Sequence, residues 1–434
     1  MKKPIASSVY ELLTNQEDAR ACRDIPESAC KNSPDSFLLL LISYCLTKLG
    51  DAIANPKTVL PWLLTSVNAP LWILGFLVPI RESGSLIPQL VIADFVRRMP
   101  IRKWAWVAGA LIQALAIVFM GFAAVRFTGT VAGLLILGSL IVFSLARGLC
   151  SVAAKDVLGK TIPKGRRGQL NGWSASFAGL VTVVIGVALL RPIADADTTA
   201  LYGYALVGAA FLWLTAAGVY SAISEVRGET AGGENGFLTA IKRLSLLRED
   251  ADFRRFVITR SLLLCSALSA PYFVALAQSR IGTNTQVLAT FIIASGMASL
   301  ISAPVWGRLT DQSSRQVMSI AAALTATVGV LVALASYFFA DLTKTYWFLP
   351  CAYFLLSIAH AGVRVGRKTY IVDLAGGNKR TDYVAVSNSV IGIVLLGTGI
   401  IGTLAAWISI SGVIAVLSLM GAAGALAAKT LPEK

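Results

Sequence analysis

Several long stretches of this chain carry no charged residue. Trp104–Val125, Phe127–Ala146, Gly168–Leu190, Thr198–Ser224, Ile281–Gly307 and Gln316–Ala340 hold no Asp, Glu, Lys or Arg. Each exceeds the ~18 apolar residues that read as a membrane span. One soluble core cannot absorb so many such blocks, because single cores stop growing near ~250–300 residues. Composition agrees: 56% of the 434 residues are hydrophobic and only 14% charged, against about 25% charged in a soluble domain. The chain reads as an all-α polytopic membrane protein. Soluble-enzyme, collagen-like, disordered and disulfide-rich secreted classes are excluded.

Marking spans gives Phe37–Leu64, Leu71–Ala93, Trp104–Val125, Gly129–Ala154, Gly168–Leu190 and Leu201–Ser224 in the first half. The second half gives Phe256–Gln278, Gln286–Gly307, Gln316–Phe339, Tyr346–Val363 and two spans within Tyr383–Ala428. That last block is too long for one helix and must turn around Trp407–Gly412. Twelve spans put both termini on one side. The net charge is +15, and its placement explains it without nucleic acid. Twenty-nine Lys/Arg fall in the tails and loops on the terminus side, the stretch Arg364–Arg380 among them. Only Arg126, Arg191, Arg280 and Lys344 fall opposite. Positive charge marks the cytoplasmic face, so both termini are expected in the cytoplasm and the protein in a cell's inner or plasma membrane.

The tail, residues 1–36, shows no signal-peptide pattern. It holds the pair Cys22 and Cys30, whose spacing is a poor match for a structural zinc site or a redox motif. Cys45, Cys150, Cys265 and Cys351 sit in apolar helices as small core residues.

Halving the chain gives an offset of 217, and in that register unusual residues coincide. Asp94 maps to Asp311, Arg98 to Arg315, Arg147 to Arg364, Asp156 to Asp373 and Asn171 to Asn388. Five charged or amide pairs in one ungapped register imply two pseudo-symmetric six-helix bundles, residues 37–224 and 256–428. Between them lies a cytoplasmic joint, 225–255, whose Phe237–Leu247 has apolar residues at helical spacing and reads as an amphipathic helix on the membrane surface; an ordinary linker is the alternative. Residues 429–434 close the chain in the cytoplasm. Arg147, Asp156, Arg364 and Asp373 are candidates for a charge relay at the helix ends.

The repeat also corrects a hydropathy reading. Thr58–Ile80 is charge-free and looks like a span, but contains the turn signal Asn68-Ala69-Pro70. The 217 offset places the first hairpin there, so Lys48, Asp51, Lys57, Arg81 and Glu82 fall inside the first two helices.

The loop Gly307-Arg308-Leu309-Thr310-Asp311-Gln312-Ser313-Ser314-Arg315 resembles the G-x-x-x-D-x-x-(G/S)-R loop of the major facilitator superfamily. Its first-half copy, Ala93-Asp94-Phe95-Val96-Arg97-Arg98, is similar, with Leu90 in place of the opening Gly. Twelve spans, the 6 + 6 repeat and Arg167-Gly168 opening the fifth helix extend the resemblance over about residues 37–430. It implies secondary transport by alternating access around a midplane site between the halves. It further implies that Asp94, Arg97, Arg98, Asp311 and Arg315 latch one conformation at the cytoplasmic face; a solvated loop that only fixes topology is the other reading.

The charges within the spans carry the sharper inference, because an ionisable residue in lipid normally faces a cavity or a partner. Lys48, Asp51 and Asn55 share a helical face, Lys57 follows, and Arg81-Glu82 sit midway along helix two. Pro56, Pro61, Pro79 and Pro88 can break these helices. These six polar residues are the candidate substrate and proton-coupling site, with three cations and two anions leaving one positive charge for an anionic ligand. An internal ion-pair cluster, such as Asp51 with Arg81 and Glu82 with Lys48 or Lys57, is the structural alternative. The second half shows no matching cluster: Arg260 can snorkel to the near face, and His360 reads as a packed histidine rather than a relay. Coupling chemistry is therefore expected in the first half.

No metal-ligand or nucleophile constellation is present in the sequence, and Gly159-Lys160-Thr161 lacks the opening Gly of a P-loop. The expected function is proton-coupled movement of a small anionic or zwitterionic organic solute, by a monomer, with no cofactor beyond an ion gradient and no enzymatic activity. Two rivals remain: a non-transporting assembly factor or receptor with a sealed apolar interior, and a lipid flippase with a cavity open sideways.

Overall fold

The computed structural model describes Tyr10 and residues 25–191, 198–228, 230, 244–374 and 379–433. At Leu90, 164–165, 198–200, Ala303, Asp311, 379–382 and Ala406 it describes the backbone alone. Every regular element among these residues is helical, as lipid requires, since a helix satisfies its backbone hydrogen bonds within the segment. Six crossings form the first half. They are α1 (Ser33–Ile53 and Val59–Ser66), α2 (Leu71–Leu86 and Gln89–Arg97), α3 (Lys103–Arg126), α4 (Gly129–Thr161), α5 (Lys164–Ala188) and α6 (Thr198–Ser221). The second half has α7 (Ala251–Leu262, Cys265–Leu268 and Ala270–Ile281), α8 (Thr285–Gln312), α9 (Ser314–Phe338) and α10 (Phe348–Leu374). It ends with α11 (Lys379–Thr398, continued by a 3-10 segment Gly399–Leu404) and α12 (Ala405–Lys429).

Among the described residues, eleven helices are long and apolar enough to span a membrane; a further crossing, α2, is divided at Ile87–Pro88. The first hairpin lies at the Asn-Ala-Pro signal, where Asn68 takes the left-handed φ of 57° open to asparagine. Ser409 (φ 67°) sits inside the segment expected to turn before the last span. Of the four prolines, Pro56 and Pro88 stand at breaks. Pro61 lies in the first turn of the second α1 arm, and Pro79 stays inside continuous helix. The proposed surface helix Phe237–Leu247 falls largely outside the described residues; its end is a single helical turn, Leu246–Glu249.

Helix neighbours repeat between the halves. In the first, α1 packs on α5 and α6, α2 on α4, and α3 on α4 and α6; adding six to each label gives the second-half packing. The halves meet through α2 with α11, α5 with α8, and the far arms of α1 and α7. These contacts seal the face away from the termini. A Cβ on Gly75 of α2 would lie 2.5 Å from the Gly402 Cα of α11, so only glycine lets these backbones touch. Nearby, the Gln278 amide of α7 donates to Ser66 Oγ of α1 at 3.2 Å. On the terminus side a hollow of about 490 Å³ opens between α2, α4 and α11, walled by Arg97, Lys155, Asp156 and Asn388.

Candidate functional site

A cavity of about 370 Å³ lies between the halves at mid-helix depth. Its wall is set by breaks in the helices. Proline disfavours α backbone at the preceding residue and brings no N–H, so α1 opens at Asn55-Pro56. The Asn55 Oδ1 then accepts from the Lys57 backbone N–H at 2.8 Å, an Asx turn that carries Lys57 to the cavity. Lys57 Nζ donates to His360 Nε2 of α10 at 2.8 Å, and His360 Nδ1 lies 3.1 Å from Ser266 Oγ of α7. This chain of contacts crosses from one half to the other.

Asp51 is clamped by two guanidiniums. It accepts from Arg81 Nη2 at 3.0 Å and from Arg147 Nη1 with both carboxylate oxygens. Arg81 also stacks over the Phe143 ring, 4.9 Å from its centre. The Glu82 carboxylate lines the same cavity without a hydrogen bond or ion pair among the described residues. The Asp51–Arg81 pairing matches the one drawn from sequence, and Arg147 joins it instead of a relay at a helix end.

Three sequence expectations change. Lys48 turns away from Glu82: its Nζ donates to Ser174 Oγ of α5 at 2.7 Å, and it lines an adjoining cavity of about 400 Å³ inside the first half, which shares Asp51 and Arg147 with the central one. Arg260 does not snorkel. It is 7% exposed and reaches inward to α11, donating to Ser387 Oγ at 2.6 Å and Asn388 Oδ1 at 2.9 Å. The second half does bear charge on the site. Its α10 continues to Leu374 rather than ending at Val363, so Arg364 and Arg367, read as loop cations, line the cavity. Ser174 accounts for Lys48; for the arginines the shared reason is that a cation beside a polar cavity need not reach the membrane surface.

The motif residues sit at helix ends. Asp94 Oδ2 accepts from Arg98 at 2.7 Å within α2, and Asp156 of α4 pairs with Arg102 at 3.1 Å. Arg97 lines the terminus-side hollow. Arg315, the counterpart of Arg98, binds the chain's last described residues, donating to the Leu431 carbonyl at 3.1 Å and to Glu433 at 3.2 Å. Asp373 is exposed and in no ion pair among the described residues; the Asp311 side chain and Cys22 lie outside them. Glu225 was missed by sequence. Its wholly buried carboxylate accepts from the backbone N–H groups of Arg102 and Lys103 and from Lys160 Nζ at 2.8 Å. It thus satisfies unpaired donors at the start of α3 and ties α3 to α4.

Residues 40–393 match the Major Facilitator Superfamily, and no curated relative matches the sequence. The fold superposes on solved transporters. A D-xylose–proton symporter gives a TM-score of 0.68 at 14% identity, over 92% of this chain and 98% of that one. A POT family transporter bound to a thioalcohol-conjugated peptide also gives 0.68, at 11% identity over 90% and 94%. The inward-open xylose transporter XylE from E. coli gives 0.66, at 12% identity over 92% and 96%. Two six-helix halves of equivalent packing, a charged cavity between them and the family match over most of the sequence lead to one assignment: the chain belongs to the major facilitator superfamily.

Proposed function

We propose that the protein is a proton-coupled secondary transporter that moves a small anionic or zwitterionic organic solute across an inner or plasma membrane. The observation that carries this reading is the mid-membrane cavity between the halves, where Glu82 stands among Lys57, Arg81 and Arg367 without an ion pair of its own. A carboxylate so placed takes up a proton when a bound anion draws its neighbouring cations away, and releases it when the anion leaves. Asp51 serves this purpose less well, being held by two guanidiniums. A receptor or assembly factor with a sealed apolar interior has no use for such a cavity. A gradient drives the cycle, and the protein works as a monomer without a nucleotide or other cofactor.

The packing supports alternating access. The seam at Gly75–Gly402 and Gln278–Ser66 closes one face, and rocking of the halves would open it while closing the hollow beside Arg97 and Asp156. The deciding experiment is uptake and efflux of a solute panel in proteoliposomes, with and without a pH gradient. Gradient-dependent accumulation of an anionic or zwitterionic solute is expected; no movement of any solute in either direction overturns the transport reading.

The charge asymmetry supports a cytoplasmic location for both termini. Single cysteines introduced at positions 102, 166 and 242 are expected to resist a membrane-impermeant thiol reagent in intact cells, and those at 126 and 191 to react. Labelling of both sets alike would defeat this orientation.

A further inference from the structure

Cations outnumber carboxylates in the central cavity. Lys57, Arg81, Arg147, Arg260, Arg364 and Arg367 stand against Asp51 and Glu82 alone. His360 does not add to the excess. An ammonium can only donate, so the contact from Lys57 makes Nε2 an acceptor and leaves the ring proton on Nδ1, toward Ser266. Arg81 and Arg147 share Asp51. Arg260 bonds only to neutral side chains, and its buried Nε has no partner among the described residues. The Arg364 and Arg367 side chains make no hydrogen bond or ion pair among those residues.

We infer that the cavity is built for a solute with two negative charges, a dicarboxylate or a phosphate monoester, one of whose anionic groups is held by Arg364 and Arg367. The inference rests on the transport reading above. The two arginines lie three residues apart on α10 and so share a face, and their planar forks match carboxylate or phosphate oxygens in a way a lysine does not. The second charge meets Lys57 and Arg260 on the facing walls. The cavity has four more cations than carboxylates while Glu82 is ionised. A monoanion offsets one of the four and a dianion two, and the proton that Glu82 takes up on binding adds one back, so only a dianion lowers the excess. Unpaired charge at this depth is disfavoured, so a solute that brings two anionic groups relieves it. The cavity's volume of about 370 Å³ suits a molecule of a few carbons.

The test uses the full chain reconstituted in liposomes. Succinate and glycerol 3-phosphate are the dianionic probes, lactate the monoanion and glycerol the neutral control, each measured for binding and for movement. Binding of one dianion about tenfold or more tighter than lactate is expected, with none for glycerol. Arg364→Gln and Arg367→Gln should each weaken that binding by about tenfold, the scale of a lost charge-assisted bond, with the unliganded melting temperature unchanged. Equal binding of lactate, failure of a broader dicarboxylate and phosphomonoester panel to bind, or wild-type affinity in both variants overturns the proposal. The two readings fail separately. A dianion that binds through these arginines but is never moved defeats transport and leaves this inference standing; accumulation of a neutral solute on a pH gradient does the reverse.

Discussion

Asp51→Asn lowers the stability of the folded protein by about 3 kcal/mol, the low end of the cost of breaking a buried ion pair. The substitution removes the carboxylate that Arg81 and Arg147 share and leaves both cations facing each other. Arg81, whose side chain is 10% exposed, cannot turn to solvent; Arg147, at 37%, partly can, which keeps the cost at the low end. Unfolding in detergent micelles, followed by helical signal, reads the loss. Neutralising a cation as well, in Asp51→Asn/Arg81→Gln, should restore at least half of it, since one uncompensated charge is then gone. Recovery of gradient-driven transport in the double variant would assign Asp51 to the structure alone. Wild-type stability in the single variant would show that the clamp holds nothing together, and Asp51 would return to the list of coupling residues.

The sequence could reveal what depends on local pattern. Charge-free blocks give the spans because lipid tolerates only internally bonded helices. The 217 offset exposes the halves because the same packing problem is solved twice, and Asn68-Ala69-Pro70 marks the first hairpin because few residues accept its backbone. Side-chain direction is another matter. Lys48 shares a helix face with Asp51 by spacing, yet α5 supplies Ser174 and draws it aside. Arg260 finds its partners on α11, more than a hundred residues along the chain, and nothing nearby in sequence records that. Arg364 and Arg367 illustrate a subtler limit. Counting cations after an apolar run as loop residues works for topology, but it hides cations that water in a cavity keeps within the span. The offset pairing of Arg147 with Arg364 was the one available hint, since it matched a residue midway along α4 with one on α10.

Glu82→Gln is expected to abolish accumulation on a pH gradient while leaving solute exchange intact. With the membrane potential clamped at zero, one pH unit is worth about 1.4 kcal/mol per proton. A tightly coupled one-to-one carrier therefore sustains about a tenfold concentration ratio. The glutamine cannot take up the proton, so the ratio falls to unity, while exchange, which needs no net proton movement, continues across the same cavity. The prediction separates coupling from structure because Glu82 has no ion pair of its own among the described residues. Its neutralisation breaks no direct pair, in contrast to Asp51, but it removes one of the two carboxylates that offset the cavity's cations, so the melting temperature should fall, by less than in Asp51→Asn. Accumulation retained in Glu82→Gln would move the proton to another group, with His360 and Lys57 next in line because their contact spans the two halves. Loss of exchange together with accumulation, in a protein that still folds, would instead make Glu82 part of the solute's binding surface.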